Sequence, residues 1–351
     1  EGIVDHPPVP VARVNRLKLE LVNSALVGLI AYQPTNIFAL PQPSPRGEVE
    51  GVVGPAVHLT ISDVGETHFA TIGGGPILNE GTVTFVGPTV ATGRIINTGT
   101  LDVNVPYGDL ELRLDSLVNQ GTLLVRDSTR FTDPSGILVN KGTVTAATGA
   151  SLVIAGGDFI AESPGSMSGR LILENGRLGG TGFLDRVTSV GGVLSPNSSS
   201  AVGTLFLQDL KLDAASRVVA DVALSLDGVT PYGDRIDVAG TATLAGTIEA
   251  RAVSPLVPGV CGQAVRILTH ASPLVGAFTN QVGFQLAPSR AWRLYDSTTV
   301  LSLAGFDPSK NLSYSPTSLA LAEGRAAGTA KQRRKPLAAC APGLKLRRPS
   351  S

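Results

Sequence analysis

The chain has 351 residues, an apolar share of 42%, 41 Gly and 24 Pro, but only 5% aromatic residues. That is enough apolar material for a sizeable core, which excludes disorder of the whole chain, and the balance suits many short strands joined by turns better than packed helices. The formal charge is zero, yet eight Lys/Arg and no Asp/Glu lie between Arg325 and Ser351, leaving 20 basic against 28 acidic residues in positions 1–324, a net of −8. An acidic body lacks the basic stripe that grips phosphate backbones, so nucleic acid is not an expected partner.

Positions 1–70 read as a β-rich segment of unknown type. The sequence starts at Glu1 without Met, so a secretion signal is expected to be absent from it already. The apolar run from Ser24 to Leu40 is interrupted by Gln33, Pro34 and Asn36 and reads as buried strands, too short and broken to span a bilayer. Gly73, Gly74 and Gly75 lack the Lys and Ser/Thr of a phosphate loop.

Positions 71–204 carry an internal repeat. The stretch Ile77-Leu78-Asn79-Glu80-Gly81-Thr82-Val83-Thr84-Phe85 recurs at Ile95–Val103, Leu117–Val125 and Leu138–Ala146, with a degenerate fifth copy at Ile172–Leu178. The repeat-defining pairs are Asn79 and Gly81, Asn97 and Gly99, Asn119 and Gly121, and Asn140 and Gly142, and the four Asn are 18, 22 and 21 residues apart. That spacing fits one turn of a parallel β-helix, each copy being strand, tight turn and strand. Asn is expected at the corner because it tolerates left-handed backbone angles and can bond its neighbouring backbone, and Gly because it supplies positive φ without a Cβ clash. Alternation then directs Val83, Leu101, Leu123 and Val144 inward and stacks Thr82, Thr100, Thr122 and Thr143 outside. About six turns fit between Asn79 and Leu210, a rod on the order of 30 Å at about 4.8 Å per turn. An antiparallel meander or sandwich with incidental Asn-Gly turns is the alternative.

Positions 205–305 read as a C-terminal cap. After Leu194-Ser195-Pro196-Asn197 come Gly203-Thr204-Leu205, Asp234-Arg235-Ile236-Asp237-Val238-Ala239-Gly240-Thr241-Ala242, Leu244-Ala245-Gly246-Thr247-Ile248, Ile267-Leu268 and Gly276-Ala277-Phe278. With the repeat, this order resembles the end of autotransporter passenger domains and related β-strand repeat surface proteins, over about positions 77–305. The resemblance implies an all-β chain folded as a right-handed parallel β-helix, a solenoid with a C-terminal β capping segment that helps the stack fold. It also implies a secreted, extracellular protein associated with a bacterial outer surface, acting in adhesion or display, with a host or matrix surface, protein or glycan, as partner. The family's transmembrane barrel has no counterpart here, so the membrane anchor is expected outside this chain, and the sequence is silent on oligomeric state.

Positions 306–351 read as a linker and a basic, disordered tail. Tyr314–Gly324 is similar to the opening strand of a Calx-β-type repeat, and the match then stops, as in a truncated or frame-shifted end or before a genuine basic tail.

The search for chemistry yields no catalytic residue, no cofactor and no metal site. Cys261 and Cys340 form no framework, and His6, His58, His68 and His270 read as surface or turn histidines. Asp227, Asp234 and Asp237 flank a Gly-bearing turn but lack a Ca²⁺-loop spacing. No Gly-x-Ser-x-Gly elbow is present. Tyr107, Tyr232, Trp292 and Tyr295 read as core or rim packing rather than a sugar platform. The outward column Thr84, Asp102, Leu124 and Thr145 holds one carboxylate where a glycosidase wants two. A non-enzymatic, adhesin-like role is therefore expected. A polysaccharide lyase or hydrolase and a passive spacer of a larger surface protein are the alternatives.

Overall fold

The computed structural model describes residues 16–21, 27–30, 48–53, 58–62, 70–86, 89–104, 110–196, 202–224, 231–253, 264–287, 290–297 and 299–306. Among the described residues there is no helix: the chain is all-β, and its strands form long parallel stacks. The arrangement is compatible with a β-helix.

Three ladders make up the stacks, and the chain visits them in a fixed order. On the first, Arg94–Asn97 pairs in parallel with Pro76–Asn79 before it and Ser116–Asn119 after it, and the series continues through Ile137–Asn140, Asp158–Ala161 and Arg177–Gly180. On the second, Thr82, Thr100, Thr122 and Thr143 are direct partners, followed by Ser166, Phe183, Phe206, Asp237 and Thr269. On the third, Leu110–Leu112, Thr129–Phe131, Leu152–Ile154 and Leu171–Leu173 follow one another. Over these stretches each rung thus meets its neighbour residue for residue, while bulges shift the register elsewhere, between Gly93 and Arg94 and between Met167 and Arg170 for instance.

Register decides where the core sits, because a strand alternates faces and in-register stacking repeats the choice at every rung. Val83, Leu101, Leu123, Val144, Met167, Leu184, Leu207 and Val238 form one inward column, all buried. Ile77, Ile95, Leu117, Leu138, Phe159, Leu178, Leu194, Val218 and Ile248 form another. Each such side chain, buried between the rungs on either side, contributes about 1.5–3 kcal/mol relative to exposure. Thr100 and Thr122 face the opposite way and stay half-buried.

The parallel pairing extends beyond the repeat in both directions. Arg16–Leu21, Glu48–Val53 and His58–Ser62 already belong to it, and Gly73 and Gly74 are strand residues paired with Glu48 and Val49, not a loop. Toward the other end it runs to Asn280–Val282, and residue 205 falls inside the single strand Thr204–Leu212. The strand polarity departs from parallel first at Pro231–Gly233, which lies antiparallel on Val222–Leu224, and again at the end of the described stack. Arg290–Asp296 and Val300–Phe306 form an antiparallel hairpin whose second strand lies antiparallel on Ala264–His270, with Trp292, Leu301 and Leu303 buried against the last rungs. The basic tail and the Calx-β-like stretch lie outside the described residues.

Candidate functional site

The repeat residues that sequence analysis singled out occupy one corner of the stack, between the first and second ladders. Asn79, Asn97, Asn119 and Asn140 are fully buried there. Each Nδ2 donates to the Oδ1 of the next Asn, at 2.6, 2.7 and 2.8 Å in chain order. Its second hydrogen goes to a backbone carbonyl of the next rung, Thr100, Thr122 or Thr143, at 2.8–3.1 Å. Asn140 ends the series by donating to the Ser166 carbonyl, because Ala161 takes the next position. At the other end Asn79 Oδ1 is buried without a donor.

This geometry corrects the expected reason for the motif. The left-handed non-glycine position among the described residues is Asn175, and the ladder Asn residues are not left-handed. Gly99, Gly121 and Gly142 are needed for closeness instead: a Cβ on each would overlap the carbonyl oxygen of the glycine one rung earlier. The corner is that tight because the Asn79 carbonyl accepts from both Thr98 and Gly99, at 2.8 and 3.0 Å, and the pattern repeats at Asn97 and Asn119. The degenerate fifth copy is also out of phase. Leu173 stacks on Ile154 in the third ladder and Leu178 on Phe159 in the first, so Asn175 stands at a different corner, exposed, and joins no ladder.

Four outward carboxylates are engaged by cations one or two rungs away. Asp102 takes a bidentate pair from Arg126 at 2.8 and 2.9 Å, which raises the Arg126 pKa through that hydrogen bond. Arg130 pairs with Glu174 at 2.6 Å, Lys141 with Glu162 at 3.1 Å, and Arg217 with Glu249. Partly exposed pairs of this kind are worth about 0–1 kcal/mol each, and the four carboxylates they hold are not free for acid-base work.

Asp234 and Asp237, two of the three Asp residues expected near a Ca²⁺-like turn, face different ways. Asp234 is inward and buried, accepting from the backbone N–H of Gly203 at 2.8 Å and of Asp221 at 3.1 Å. Burial raises its pKa to about 6, with the Asp221 charge adding to the rise and Arg251, which grips Asp221 at 2.6 and 2.7 Å, opposing it. Asp237 lies three residues on, facing outward, bound to Arg235 at 2.8 Å and to the Thr269 hydroxyl at 2.6 Å. Asp227 lies outside the described residues, and among those described no group of three metal-ligating side chains gathers.

Two features escaped the sequence reading. His270 is no surface residue: it follows Val238 in the inward column and is buried under the terminal hairpin. Its Nδ1 lies 2.7 Å from the Ser272 carbonyl, which only accepts, so that nitrogen carries the hydrogen, and Nε2 is left without a hydrogen-bond partner 3.6 Å from Asp296. The second is a groove of about 560 Å³ on the outside of the second ladder, lined among others by Phe183, Phe206, Asp237, Thr269 and Val300. Phe183 and Phe206 are direct partners on adjacent rungs and are 46% and 42% exposed. The signal was present in the sequence, since each Phe occupies an outward phase beside an inward Leu: Phe183 before Leu184, and Phe206 between Leu205 and Leu207. No family model matches the chain, and a search of curated proteins finds no match.

Proposed function

We propose that this chain is a right-handed parallel β-helix, capped at its C-terminal end, that works as a secreted or cell-surface rod of the adhesin-like kind and carries no catalytic activity. The observation that supports this reading best is the parallel stacking of successive rungs on a shared set of buried columns. The buried Asn ladder and the inward columns serve the contact between successive rungs, and a solenoid built from such nearest-neighbour contacts is a means of extending a surface. The paired carboxylates point the same way, because hydrolysis of a glycosidic bond wants two free carboxyl groups across a cleft. Asp234, whose pKa suits an acid catalyst, is buried and spent on two backbone N–H groups.

The expected partner is a host or matrix surface. The purified chain, fluorescently labelled, should bind cells or extracellular matrix saturably, and incubation with polysaccharides should release no new reducing ends or unsaturated termini. Absence of binding to every surface tried would favour a passive spacer. Shortening of a glycan would overturn the non-catalytic reading in favour of a polysaccharide lyase or hydrolase.

A further inference from the structure

Along the outward column of the second ladder the side chains change character twice. Thr82, Thr100, Thr122, Thr143 and Ser166 give way to Phe183 and Phe206, and then to Asp237 and Thr269. An outward phase usually carries polar side chains, so two phenyl rings nearly half exposed on adjacent rungs make an exposed apolar pair of the kind that marks binding surfaces. They lie about 4.8 Å apart, the spacing of hydrogen-bonded strands. The groove they border, about 560 Å³, has the size and the mostly apolar lining with few polar groups that small-ligand sites have.

The polar end of the groove narrows the ligand class. Thr269 donates its hydroxyl hydrogen to Asp237 Oδ1 at 2.6 Å, so what it can offer a ligand is its oxygen. Asp237 keeps free lone pairs on both carboxylate oxygens after bonding Thr269 and Arg235. Both groups therefore present acceptors, and the fitting ligand brings donors. An ammonium ion would bring them with a charge, but the Asp237 charge is already balanced by Arg235 at 2.8 Å, so a cation gains little. Hydroxyl groups bring donors without charge. A second copy of the chain is a poor occupant, because two phenyl rings fall far short of the roughly 800 Å² per partner of a standard protein interface.

We infer that this groove is a binding subsite for a neutral saccharide, with Phe183 and Phe206 carrying the C–H face of a sugar ring and Asp237 and Thr269 accepting hydrogen bonds from its hydroxyls. The inference rests on the reading of the chain as a surface-binding rod and gives that rod a partner class. Successive rungs offer successive outward positions, so an oligosaccharide laid along the stack axis meets the aromatic pair first and the acceptors beyond it.

The test uses the full chain against immobilised neutral gluco-, manno- and galacto-oligosaccharides, followed by calorimetry with the best of them. Binding of at least one is expected, and both Phe206→Ala and Phe183→Ala should weaken it by about tenfold. Asp237→Asn should also weaken it, while Thr100→Ala, several rungs away on the same column, should leave it unchanged. The Phe positions are exposed, so thermal melts of both variants should match that of the unaltered chain. The inference is overturned if none of these saccharides binds, if both Phe variants bind as well as the original, or if tetramethylammonium is bound in preference to every saccharide. Binding to cells without binding to any saccharide would sink this inference and leave the surface-rod reading intact. Shortening of the bound saccharide would do the reverse, ending the non-catalytic reading and keeping the subsite.

Discussion

Asn97 and Asn119, one repeat apart in sequence, are joined by a side-chain hydrogen bond of 2.7 Å, and neither is exposed. The bond is one step of a chain in which each amide both donates and accepts, and amides linked this way polarise one another in a dry corner. Asn119→Ala should therefore be costly. It strips the acceptor from Asn97 Nδ2, the donor from Asn140 Oδ1 and the donor from the Thr143 carbonyl. Leaving buried polar groups unpaired costs about 1–3 kcal/mol each, so a loss of 3 kcal/mol or more is expected from urea unfolding. Asn79→Ala should cost less, because Asn79 Oδ1 already lacks a donor and two groups, Asn97 Oδ1 and the Thr100 carbonyl, are left unpaired where Asn119→Ala leaves three.

The corner glycines are there for closeness and not for backbone angle, and a pair of substitutions separates the two causes. Gly121 has an ordinary backbone but no room for a Cβ, which would strike the Gly99 carbonyl; Gly149 has φ +89° and nothing within 4 Å. Gly149→Ala should cost about 1–2 kcal/mol through strain, and Gly149→Asn less, since Asn tolerates positive φ. At Gly121 the order reverses: Asn should be at least as damaging as Ala, because any Cβ forces the rungs apart. Equilibrium unfolding of the four variants decides it.

The parallel stacking and the inward columns were legible because the repeat writes them twice, once as a spacing near 20 residues and once as a period of two within each copy. Direct pairing of Thr82, Thr100, Thr122 and Thr143 follows from aligning the Asn residues. What the Asn residues do was not legible. A turn Asn and a ladder Asn look alike in one copy, and the hydrogen bonds that tell them apart join rungs that only folding brings together. The same holds for His270, whose inward phase is set by its pairing with Val238 across a connection of no fixed length. Phe183 and Phe206 are 23 residues apart in sequence and become neighbours only once register is known.

Alternation makes adjacent residues unequal, and Leu123 with Thr122 is the clearest pair. Leu123 is buried among Leu101 and Val144 on its two neighbouring rungs, while Thr122 faces out. Leu123→Ala should cost about 2–5 kcal/mol and Thr122→Ala roughly 0.5 kcal/mol or less. In hydrogen exchange the Leu variant should first lose protection at Val103 and Val144 and only later near Val238, since rungs stabilise their nearest neighbours. Uniform loss along the stack would contradict this, as would a Thr122 variant weaker than the Leu123 one.

Asp234 gives the stack a pH dependence whose sign is fixed by its environment. Its ordinary pKa of 3.8 rises to about 6 in the fold, chiefly because burial penalises the charged form. The folded state therefore holds this proton more tightly than the unfolded chain does, and the associated stability is fully present below pH 3.8 and is lost as pH rises to about 6. A shift of this size corresponds to about 3 kcal/mol at most, and surrounding carboxylates add slopes of their own. Asp213 is one of these: the Ser216 hydroxyl lowers its pKa, so its contribution is lost as pH falls. Comparing Asp234→Asn with the unaltered chain isolates the one residue. The variant loses some stability at every pH, because an amide cannot accept from both Gly203 and Asp221 as the carboxyl oxygens do. Its deficit should nevertheless shrink between pH 4 and pH 6, as the unaltered chain alone bears the growing cost of a buried charge. Urea midpoints measured across that window should converge; midpoints that run parallel or diverge would show that Asp234 does not titrate in the fold as its burial requires.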